Sequence, residues 1–424
     1  MYIIFFLNLK TFVIMIYMKI VIVGTGPAGL MCAVEGSKNE QNEVVLIDSN
    51  EKFGKKLYIT GKGRCNVCNK TTKEDFLYNV VTNNKFLYTA INMFSPDDAI
   101  NFFESNGTKL KVERGNRVFP QSDKASDITK TFEKLIKKNN VKVILNNPVY
   151  KITKKENSFV IKSKNGNITC DCVVVATGGK SYSVTGSKGD GYKFAQEFGH
   201  TVESIKPALV PINLLNFDSS LAGLSLKNVK AIIRVNGKSF SDFGEMIFTH
   251  KGVSGPIILS LSSLVNKYNL KNADLILDLK PALSEEKIDE RLVRDFKEFK
   301  TKILKNYLKE ILPKGLIEFF IKVGNFNSET PVCNIDKKTR LNLVKFLKNL
   351  PFKIDTLENI EYAIVTSGGV NVKEINPKTM ESKKVSNLFF IGEVLDVDAF
   401  TGGFNIQIAL STGFCAGSYL KNMI

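Results

Sequence analysis

Lys19-Ile-Val-Ile-Val-Gly-Thr-Gly-Pro-Ala-Gly29 is the stretch that decides the fold of this 424-residue chain. Its apolar half is typical of a buried parallel strand, and Pro27 suits the first turn of a helix, which we predict over 27–38. Gly24, Gly26 and Gly29 permit a tight turn, close approach of the backbone to a pyrophosphate, and close packing of helix on strand. The N-terminus of the helix adds free N–H groups and a positive dipole end.

A second strand completes the unit. The apolar run Val44-Val45-Leu46-Ile47 ends at Asp48, about 20 residues after the glycine turn, where a carboxylate binds the ribose of a dinucleotide. The sequence therefore predicts a βαβ unit that binds NAD or FAD, and the glycine turn does not decide between the two. Gly179-Lys180-Ser181 lacks the upstream glycine of a phosphate-binding P-loop.

Composition and charge narrow the class of protein. A hydrophobic fraction of 43% is typical of a globular chain. The formal net charge of +17 raises the question of a nucleic-acid partner. The excess is mostly lysine spread along the chain, whereas arginine is better suited to bidentate contacts with phosphates and bases. We therefore expect a solvated basic surface and no nucleic-acid partner.

Cysteine usage indicates the compartment. Seven cysteines are present, an odd count without a disulfide-like spacing, which favours a reducing environment. We expect a cytoplasmic protein without a membrane association, and the sequence leaves its oligomeric state open.

Residues 1–17 are apolar and need a separate interpretation. They differ from a signal peptide, because no basic region precedes the apolar run and Lys10 interrupts it. The segment is too short to span a bilayer. Since Met18 directly precedes the first strand, we expect the chain to start there and residues 1–17 to be a misassigned extension. A hydrophobic N-terminal anchor is the alternative.

Longer-range patterns predict two kinds of structure. Residues 96–106 and 126–139 have helical spacing, and Val173–Ala176 is a further buried strand. Strand-like alternation appears in 230–235 and 245–249, and a Lys/Glu-rich helical pattern runs from 284 to about 352. The predicted segments are 18–200 (dinucleotide-binding domain, first part), 201–283 (inserted β-rich domain), 284–352 (helical subdomain of the insert) and 353–424 (return to the dinucleotide-binding domain).

Several motifs resemble one flavoprotein family. The segment 54–66 reads Gly-Lys-Lys-Leu-Tyr-Ile-Thr-Gly-Lys-Gly-Arg-Cys-Asn, and it is similar to a loop of the BaiN-like or aminoacetone-oxidase-like NAD(P)/FAD-dependent oxidoreductases. Further matches follow in order at 117–122, 176–191, 207–211, 248–256 and 392–407. The resemblance implies FAD as the cofactor and an α/β fold, with a discontinuous Rossmann-type FAD-binding domain, an inserted β-rich subdomain and a helical subdomain.

The resemblance also implies the cofactor site. Lys56 and Arg64 would be charge partners of the pyrophosphate, and the helix after Gly403 would place its N-terminus at the pyrimidine edge of the flavin. The expected cofactor-binding residues are Gly24, Gly26, Pro27, Ala28, Gly29, Asp48, Lys56, Thr60, Gly61, Gly63, Arg64, Cys65, Asn66, Val149, Ala176, Thr177, Gly178, Gly392, Glu393, Asp396, Gly403, Phe404, Asn405 and Ile406.

Two further features suggest chemistry. Cys65 and Cys68 form a CxxC pair that can be inert, a redox dithiol, or part of a zinc site with the CxC at 170–172; we assign no metal. His250, one of two histidines, lies in the matched segment 248–256 and is a candidate proton donor, with a structural role as the alternative.

These features predict an FAD-dependent oxidoreductase that carries out two-electron chemistry on a small organic substrate. No second glycine motif follows a strand, so NAD(P)H is expected, if at all, as a transient co-substrate. The first alternative is an FAD-dependent protein that modifies or binds RNA, and the second is a thiol–disulfide reductase using Cys65 and Cys68.

Overall fold

The computed structural model of the chain describes residues 2–5 and 14–423, and the side chains of residues 18–423. The chain divides into two compact units. The first, called here the Rossmann unit, comprises Met1–Lys206 and Ile360–Ile424, and the second, called the barrel unit, comprises Pro207–Asn359. Residues 6–13 of the expected N-terminal extension lie outside the described part of the chain.

A parallel sheet forms the centre of the Rossmann unit. Its strands, in spatial order, are Leu388–Phe390, Cys172–Val175, Ile14–Val23, Asn42–Ile47 and Lys142–Ile144. Val21 and Val174 are fully buried, as expected for strands covered on both faces. The central strand of this sheet, Ile14–Val23, begins before Lys19, where the sequence predicts its start. Residues 14–17 extend it by pairing antiparallel with the strand Tyr2–Phe5.

Helices and small antiparallel sheets complete this unit. Its α-helices are Pro27–Gly36, Lys73–Tyr78, Tyr88–Met93, Pro96–Ser105, Ala125–Lys138, Asp190–Glu197 and Phe404–Lys421. One antiparallel sheet contains Val149–Lys155, Ser158–Ser163 and Gly166–Cys170, and another contains Cys68–Asn69, Leu110–Glu113 and Arg117–Pro120. The segment 51–70, predicted as a loop, contains the 3₁₀ turns Lys55–Tyr58 and Thr60–Gly63.

The first and last helices of the Rossmann unit pack closely through small residues. A Cβ atom at Gly413 would lie 2.3 Å from the carbonyl oxygen of Ala28, and one at Gly417 would lie 2.7 Å from that of Cys32. Only glycine permits this approach. The C-terminal helix thereby lies against the helix that carries the glycine turn at its start.

The barrel unit contains a closed antiparallel barrel. Its strands, in spatial order, are Ile212–Leu214, Gly252–Ser254, Lys238–Phe248, Ser225–Val235, Asp274–Asp278 and Leu350–Leu357. Its α-helices are Pro256–Val265, Glu285–Glu298, Leu304–Tyr307, Lys314–Gly324 and Lys337–Lys348. Fully buried aromatic side chains such as Phe248, Tyr307 and Phe320 fill its core.

The structure confirms the α/β class with a β-rich and helical insert. The helical segment predicted over 284–352 extends too far, because its last residues belong to a strand. Leu350–Leu357 is a barrel strand in which Leu350, Phe352 and Ile354 are buried and alternate with exposed residues. This two-residue period is the mark of a half-buried strand. Short strands also lie at Lys206–Ala208 and Val365–Ser367. No helix in residues 14–423 is long and apolar enough to cross a membrane.

Candidate functional site

At the glycine turn of the Rossmann unit, the middle one of three glycines has free space beside its Cα atom and the other two do not. A Cβ atom at Gly24 would lie 2.3 Å from the carbonyl oxygen of Ala176, and one at Gly29 would lie 2.0 Å from that of Gly24. A Cβ atom at Gly26 would meet nothing within 4 Å. No side chain caps the helix that begins at Pro27. The turn therefore offers free space beside an uncapped helix N-terminus, where a phosphate group fits.

Asp48 holds the glycine turn in place. Its Oδ2 accepts hydrogen bonds from the backbone N–H and the hydroxyl of Thr25, both at 2.7 Å. Its Oδ1 accepts from the backbone N–H of Asn50 at 2.8 Å and from the Asn50 side chain at 3.0 Å. Asp48 thus lies beside the turn at the end of its strand, and ribose binding by this carboxylate stays a prediction.

Lys56 and Glu393 form a partly buried ion pair, with Nζ and Oε2 separated by 3.0 Å. Lys56 also donates to the hydroxyl of Ser181 at 2.7 Å, and the backbone N–H of Thr366 donates to Glu393 Oε1 at 2.9 Å. The structure therefore brings together two of the predicted site residues, which are 337 positions apart in the chain. Ser181 and Thr366 were not among the predicted site residues, because a serine and a threonine carry no signal of such a partner.

Arg64 has other partners than the one predicted. Its guanidinium donates to Glu113 at 2.8 Å and to Asp123 at 3.3 Å, and it lies 4.0 Å from the centre of the Phe119 ring. The hydrogen bond to Glu113 is the main cause of a raised pKa of Arg64. Two carboxylates therefore already face this cation, and the geometry gives no support to Arg64 as a pyrophosphate partner.

Two predicted cofactor segments meet at the start of the C-terminal helix. A Cβ atom at Gly403, whose φ is 99°, would lie 2.5 Å from the carbonyl oxygen of Cys68. Asn69 donates to the carbonyl oxygen of Gly402 at 3.1 Å. The side chain of Asn405 bonds to both backbone groups of Ala399: it accepts from the N–H at 3.0 Å and donates to the carbonyl oxygen at 2.8 Å. The helix Phe404–Lys421 thus begins, without a side-chain cap, against the loop that contains Cys65 and Asn66.

The other predicted cofactor residues lie on the Rossmann unit as follows. Ala176, Thr177 and Gly178 follow the strand Cys172–Val175, and the N–H of Ala176 donates to the carbonyl oxygen of Val23 at 2.8 Å. Gly392 begins a 3₁₀ turn that also contains Glu393. Val149 begins a strand of the small antiparallel sheet, and Asp396 accepts a hydrogen bond from Asn83 at 2.8 Å. Gly61, Gly63 and Cys65 have φ values of 57°, 86° and 61°, and Thr60 donates to the carbonyl oxygen of Leu57 at 2.9 Å.

Several buried polar atoms of the Rossmann unit have no hydrogen-bond partner among residues 18–423. They are Asn66 Oδ1, Thr177 Oγ1, Tyr192 OH, Asp398 Oδ2 and Gln407 Oε1. Buried polar groups are normally paired, so unpaired ones indicate room for a polar ligand. Asn66 and Thr177 belong to the predicted cofactor site, and Gln407 directly follows it. These residues, together with the open space at Gly26, fit FAD. Asp398 lies within the matched segment 392–407 but was not among the predicted site residues.

The CxxC pair lacks the electrostatics of a redox dithiol. Cys65 and Cys68 are both fully buried, and burial raises the pKa of Cys65 to about 12 and also raises the pKa of Cys68. The reactive form of cysteine is the thiolate, which is scarce at such pKa values. All seven cysteines are free thiols. Within the described part of the chain, no group of three or more His, Cys, Asp or Glu side chains is arranged to hold a metal ion.

The two histidines differ in environment. His250 is exposed in the turn between the barrel strands Lys238–Phe248 and Gly252–Ser254. His200 is buried, and its backbone N–H donates to the carbonyl oxygen of Ala195, as expected for a residue that ends a helix. Its ring lies 3.0 Å from Glu374 Oε2 and 2.7 Å from the hydroxyl of Ser382. His200 is therefore structural, and the proton-donor role of His250 stays a prediction.

Known proteins resemble this chain over almost its whole length. The family model described as HI0933-like protein Rossmann domain matches residues 18–419. The chain is 32% identical to the "Ribosomal RNA dihydrouridine synthase" of Haemophilus influenzae, with 94% of this chain and 98% of that protein covered. It is 31% identical to the Escherichia coli protein of the same name, with 93% and 96% covered.

Two other proteins are more distant. The chain is 27% identical to the "3-dehydro-bile acid delta(4,6)-reductase" of Clostridium scindens, with 94% of this chain and 98% of that protein covered. The solved structure of 3-ketosteroid delta1-dehydrogenase from Sterolibacterium denitrificans matches this chain with a TM-score of 0.52 at 12% identity. The match covers 96% of this chain and 100% of the dehydrogenase chain. This second likeness shows a shared fold.

Proposed function

This chain belongs to the HI0933-like family and is an FAD-dependent oxidoreductase, and we propose that it saturates a carbon–carbon double bond conjugated to a carbonyl group, with uridine in ribosomal RNA as the substrate. The observation that carries the proposal is the 32% identity to a ribosomal RNA dihydrouridine synthase over 94% of this chain. The expectation that nucleic acid is not a partner is set aside in this proposal.

The names of the relatives describe one type of chemistry. Formation of dihydrouridine adds two hydrogen atoms to the C5–C6 double bond of uracil, which is conjugated to the C4 carbonyl. A delta(4,6)-reductase of a 3-dehydro bile acid likewise acts on double bonds conjugated to a ketone. RNA is favoured because the two relatives named for it share 32% and 31% identity, against 27% for the bile acid enzyme. The net charge of +17 also suits a polyanionic substrate.

Residues of the Rossmann unit would hold the cofactor, which in its reduced form supplies a hydride. The open position at Gly26 and the uncapped helix that follows would receive the pyrophosphate. Asp48 would bind the ribose of the ADP half, sharing its oxygens with Thr25 and Asn50. The N-terminus of the helix Phe404–Lys421 would face the pyrimidine edge of the flavin. NAD(P)H is proposed as a transient electron donor, because no second glycine motif follows a strand.

The compartment and the remaining alternatives follow from the same features. A cytoplasmic location is proposed, since the seven cysteines are all free thiols. A small enone is the second candidate substrate, supported by the bile acid reductase relative. A thiol–disulfide reductase loses support, because Cys65 and Cys68 are buried and their pKa values are raised.

The cofactor site can be tested at two glycines of the same turn. Gly26→Ala should leave the folded protein intact, because its Cβ atom would meet no protein atom within 4 Å, but it should weaken FAD binding by filling the space of a phosphate. Gly29→Ala should impair folding itself, because its Cβ atom would lie 2.0 Å from a carbonyl oxygen. FAD content and thermal stability are measured for both variants. A Gly26→Ala protein that retains full FAD affinity would contradict the proposed site.

The substrate is tested with the FAD-loaded protein and NADPH or NADH. Unmodified ribosomal RNA is incubated and digested, and its nucleosides are examined by mass spectrometry for uridine that has gained two hydrogen atoms. A conjugated 3-keto steroid is assayed in parallel. Reduction of uridine supports the proposal. Reduction of the steroid alone would assign the chain to small-molecule chemistry and overturn the RNA proposal.

A further inference from the structure

Four tyrosines of the Rossmann unit are largely exposed, and two of them, Tyr78 and Tyr88, lie on neighbouring helices. Tyr78 ends the helix Lys73–Tyr78 with 84% of its surface accessible, and Tyr88 begins the helix Tyr88–Met93 with 64% accessible. Within residues 18–423 neither ring stacks on another aromatic ring or a cation, and neither hydroxyl makes a hydrogen bond. Large apolar rings in water have surface to bury, so these two are available to a partner.

The helices that carry the tyrosines are side by side. Lys73 donates to the carbonyl oxygen of Asn92, so that the start of the first helix lies near the end of the second. Asn84, between the helices, donates to the carbonyl oxygen of Leu77 at 3.3 Å. The rings therefore belong to one compact helical pair, residues 72–93, which we call the tyrosine pair.

The tyrosine pair is fixed to the candidate cofactor site by backbone hydrogen bonds. The N–H of Val81 donates to the carbonyl oxygen of Asp398 at 2.8 Å, and the N–H of Phe400 donates to that of Asn79 at 3.0 Å. These bonds flank an antiparallel bridge between residues 80 and 399. Residues 396–400 connect the turn at Glu393 to the helix that begins at Phe404. Whatever rests on the tyrosine pair is thus held at a fixed position beside that loop.

The segment 72–93 has no net charge, because Lys73 and Lys85 balance Glu74 and Asp75. Lys73 and Lys85 in this segment, and Lys70 just before it, form no ion pair with any carboxylate in the described part of the chain. Glu74 and Asp75 occupy the first turn of their helix, where the helix dipole favours acidic residues. The lysines are therefore free to contact phosphates, and the two exposed rings are free to contact bases.

We propose that Tyr78 and Tyr88 are stacking platforms for unpaired bases of the RNA substrate, beside the uridine that is reduced. The inference rests on the proposed function. A base that undergoes chemistry must leave its stack or be single-stranded, and proteins hold such bases on aromatic side chains. A small enone would instead need an enclosed apolar pocket, which rings that are 84% and 64% accessible do not provide.

The test measures RNA affinity of the FAD-loaded protein by fluorescence anisotropy, with labelled oligouridine and a labelled unmodified ribosomal RNA transcript as probes. Tyr78→Ala and Tyr88→Ala should each weaken binding roughly tenfold, from the usual contribution of one base stacked on an aromatic ring. Tyr78→Phe and Tyr88→Phe should bind as the parent does, because the ring is retained. Since the chain contains no tryptophan, quenching of tyrosine emission by RNA gives a second readout.

Two other tyrosines provide matched controls. Tyr150 is 63% exposed and Tyr362 is 64% exposed, and their alanine variants should retain full RNA affinity, FAD content and thermal stability. Unchanged affinity of Tyr78→Ala and Tyr88→Ala, while the parent binds RNA, would overturn the platform and leave the proposed function intact. Equal losses in the control variants would also overturn it. A parent protein that neither binds nor reduces RNA would contradict the proposed function, and the platform with it.

Discussion

Replacing Asp398 with asparagine should stabilise the folded protein at neutral pH. The Asp398 side chain is 1% exposed. Its Oδ1 accepts a hydrogen bond from Ser367 at 3.1 Å, whereas its Oδ2 has no partner among the described residues. Burial raises the pKa of Asp398 from 3.8 to about 6, against hydrogen bonding with Thr82 and Ser367, which lowers it; the charges of Asp396 and Glu393 add to the rise. A charged carboxylate at this position therefore costs free energy that an uncharged amide does not.

The size and sign of the effect follow from the two pKa values. A rise from 3.8 to about 6 corresponds to about 3 kcal/mol, since one pKa unit is worth about 1.36 kcal/mol. Well below pH 3.8 Asp398 is protonated in both the folded and the unfolded chain, and it costs nothing. As the pH rises, the unfolded chain ionises first, so stability is lost until the folded pKa is passed. Above about pH 6 the full cost is present.

The assay is urea unfolding of the parent and of Asp398→Asn, from about pH 4 to about pH 7. Other carboxylates titrate in both proteins, so the quantity of interest is the difference between the two free energies of unfolding. It should grow by about 2.4 kcal/mol in favour of the variant across this range, because part of the cost is already present at about pH 4. Glu156→Gln, at an exposed turn position of the same unit, is the control and should show no such growth. A difference that does not change with pH, or a variant less stable than the parent at pH 7, would refute the reasoning.

Three further outcomes are expected. A double-mutant cycle of Lys56→Met and Glu393→Gln should give a coupling of about 1–3 kcal/mol in the free energy of unfolding. The reason is that their ion pair is partly buried and that Lys56 also donates to Ser181. Additive losses of stability would mean that the ion pair contributes nothing. Of the seven cysteines, only the exposed Cys333 should react quickly with a thiol reagent in the native protein, as counted by mass spectrometry. The His250→Gln variant should keep its FAD and its melting temperature, because the side chain is exposed. Its turnover should fall roughly 10²–10⁴-fold if His250 donates a proton. Unchanged turnover would show that His250 takes no part in the reaction.

Features encoded by neighbouring residues were predictable from the sequence. The strand that ends at Val23, the glycine turn and the following helix depend on contacts within about a dozen residues, and the apolar run and the glycine spacing specify them. The Rossmann strands at 42–47 and 172–175 were found for the same reason. The strand Leu350–Leu357 was missed because it directly follows a lysine-rich helix, and its alternation was taken for a continuation of that helix.

Partners distant in the sequence were not predictable. Lys56 and Arg64 were predicted to be charge partners of the pyrophosphate, but a sequence of charges does not say which carboxylates the fold brings to them. Lys56 pairs with Glu393, 337 residues away, and Arg64 with Glu113, 49 residues away. The unpaired oxygen of Asp398 is likewise a product of tertiary burial, because the same carboxyl group on an exposed loop would be hydrated.

The distinction between RNA and a small enone depends on residues outside the shared fold. A steroid dehydrogenase has the same fold at 12% identity, so the arrangement of strands and helices is compatible with either substrate, and the glycine turn serves only the cofactor. An enone must be enclosed, whereas a base in a long RNA must be reached from the surface while its neighbours stay outside. Exposed rings on an element hydrogen bonded to the loop at 396–400 meet the second requirement. The affinity of Tyr78 and Tyr88 variants for RNA is therefore more informative about the substrate than any substitution in the glycine turn, which would affect both kinds of enzyme alike.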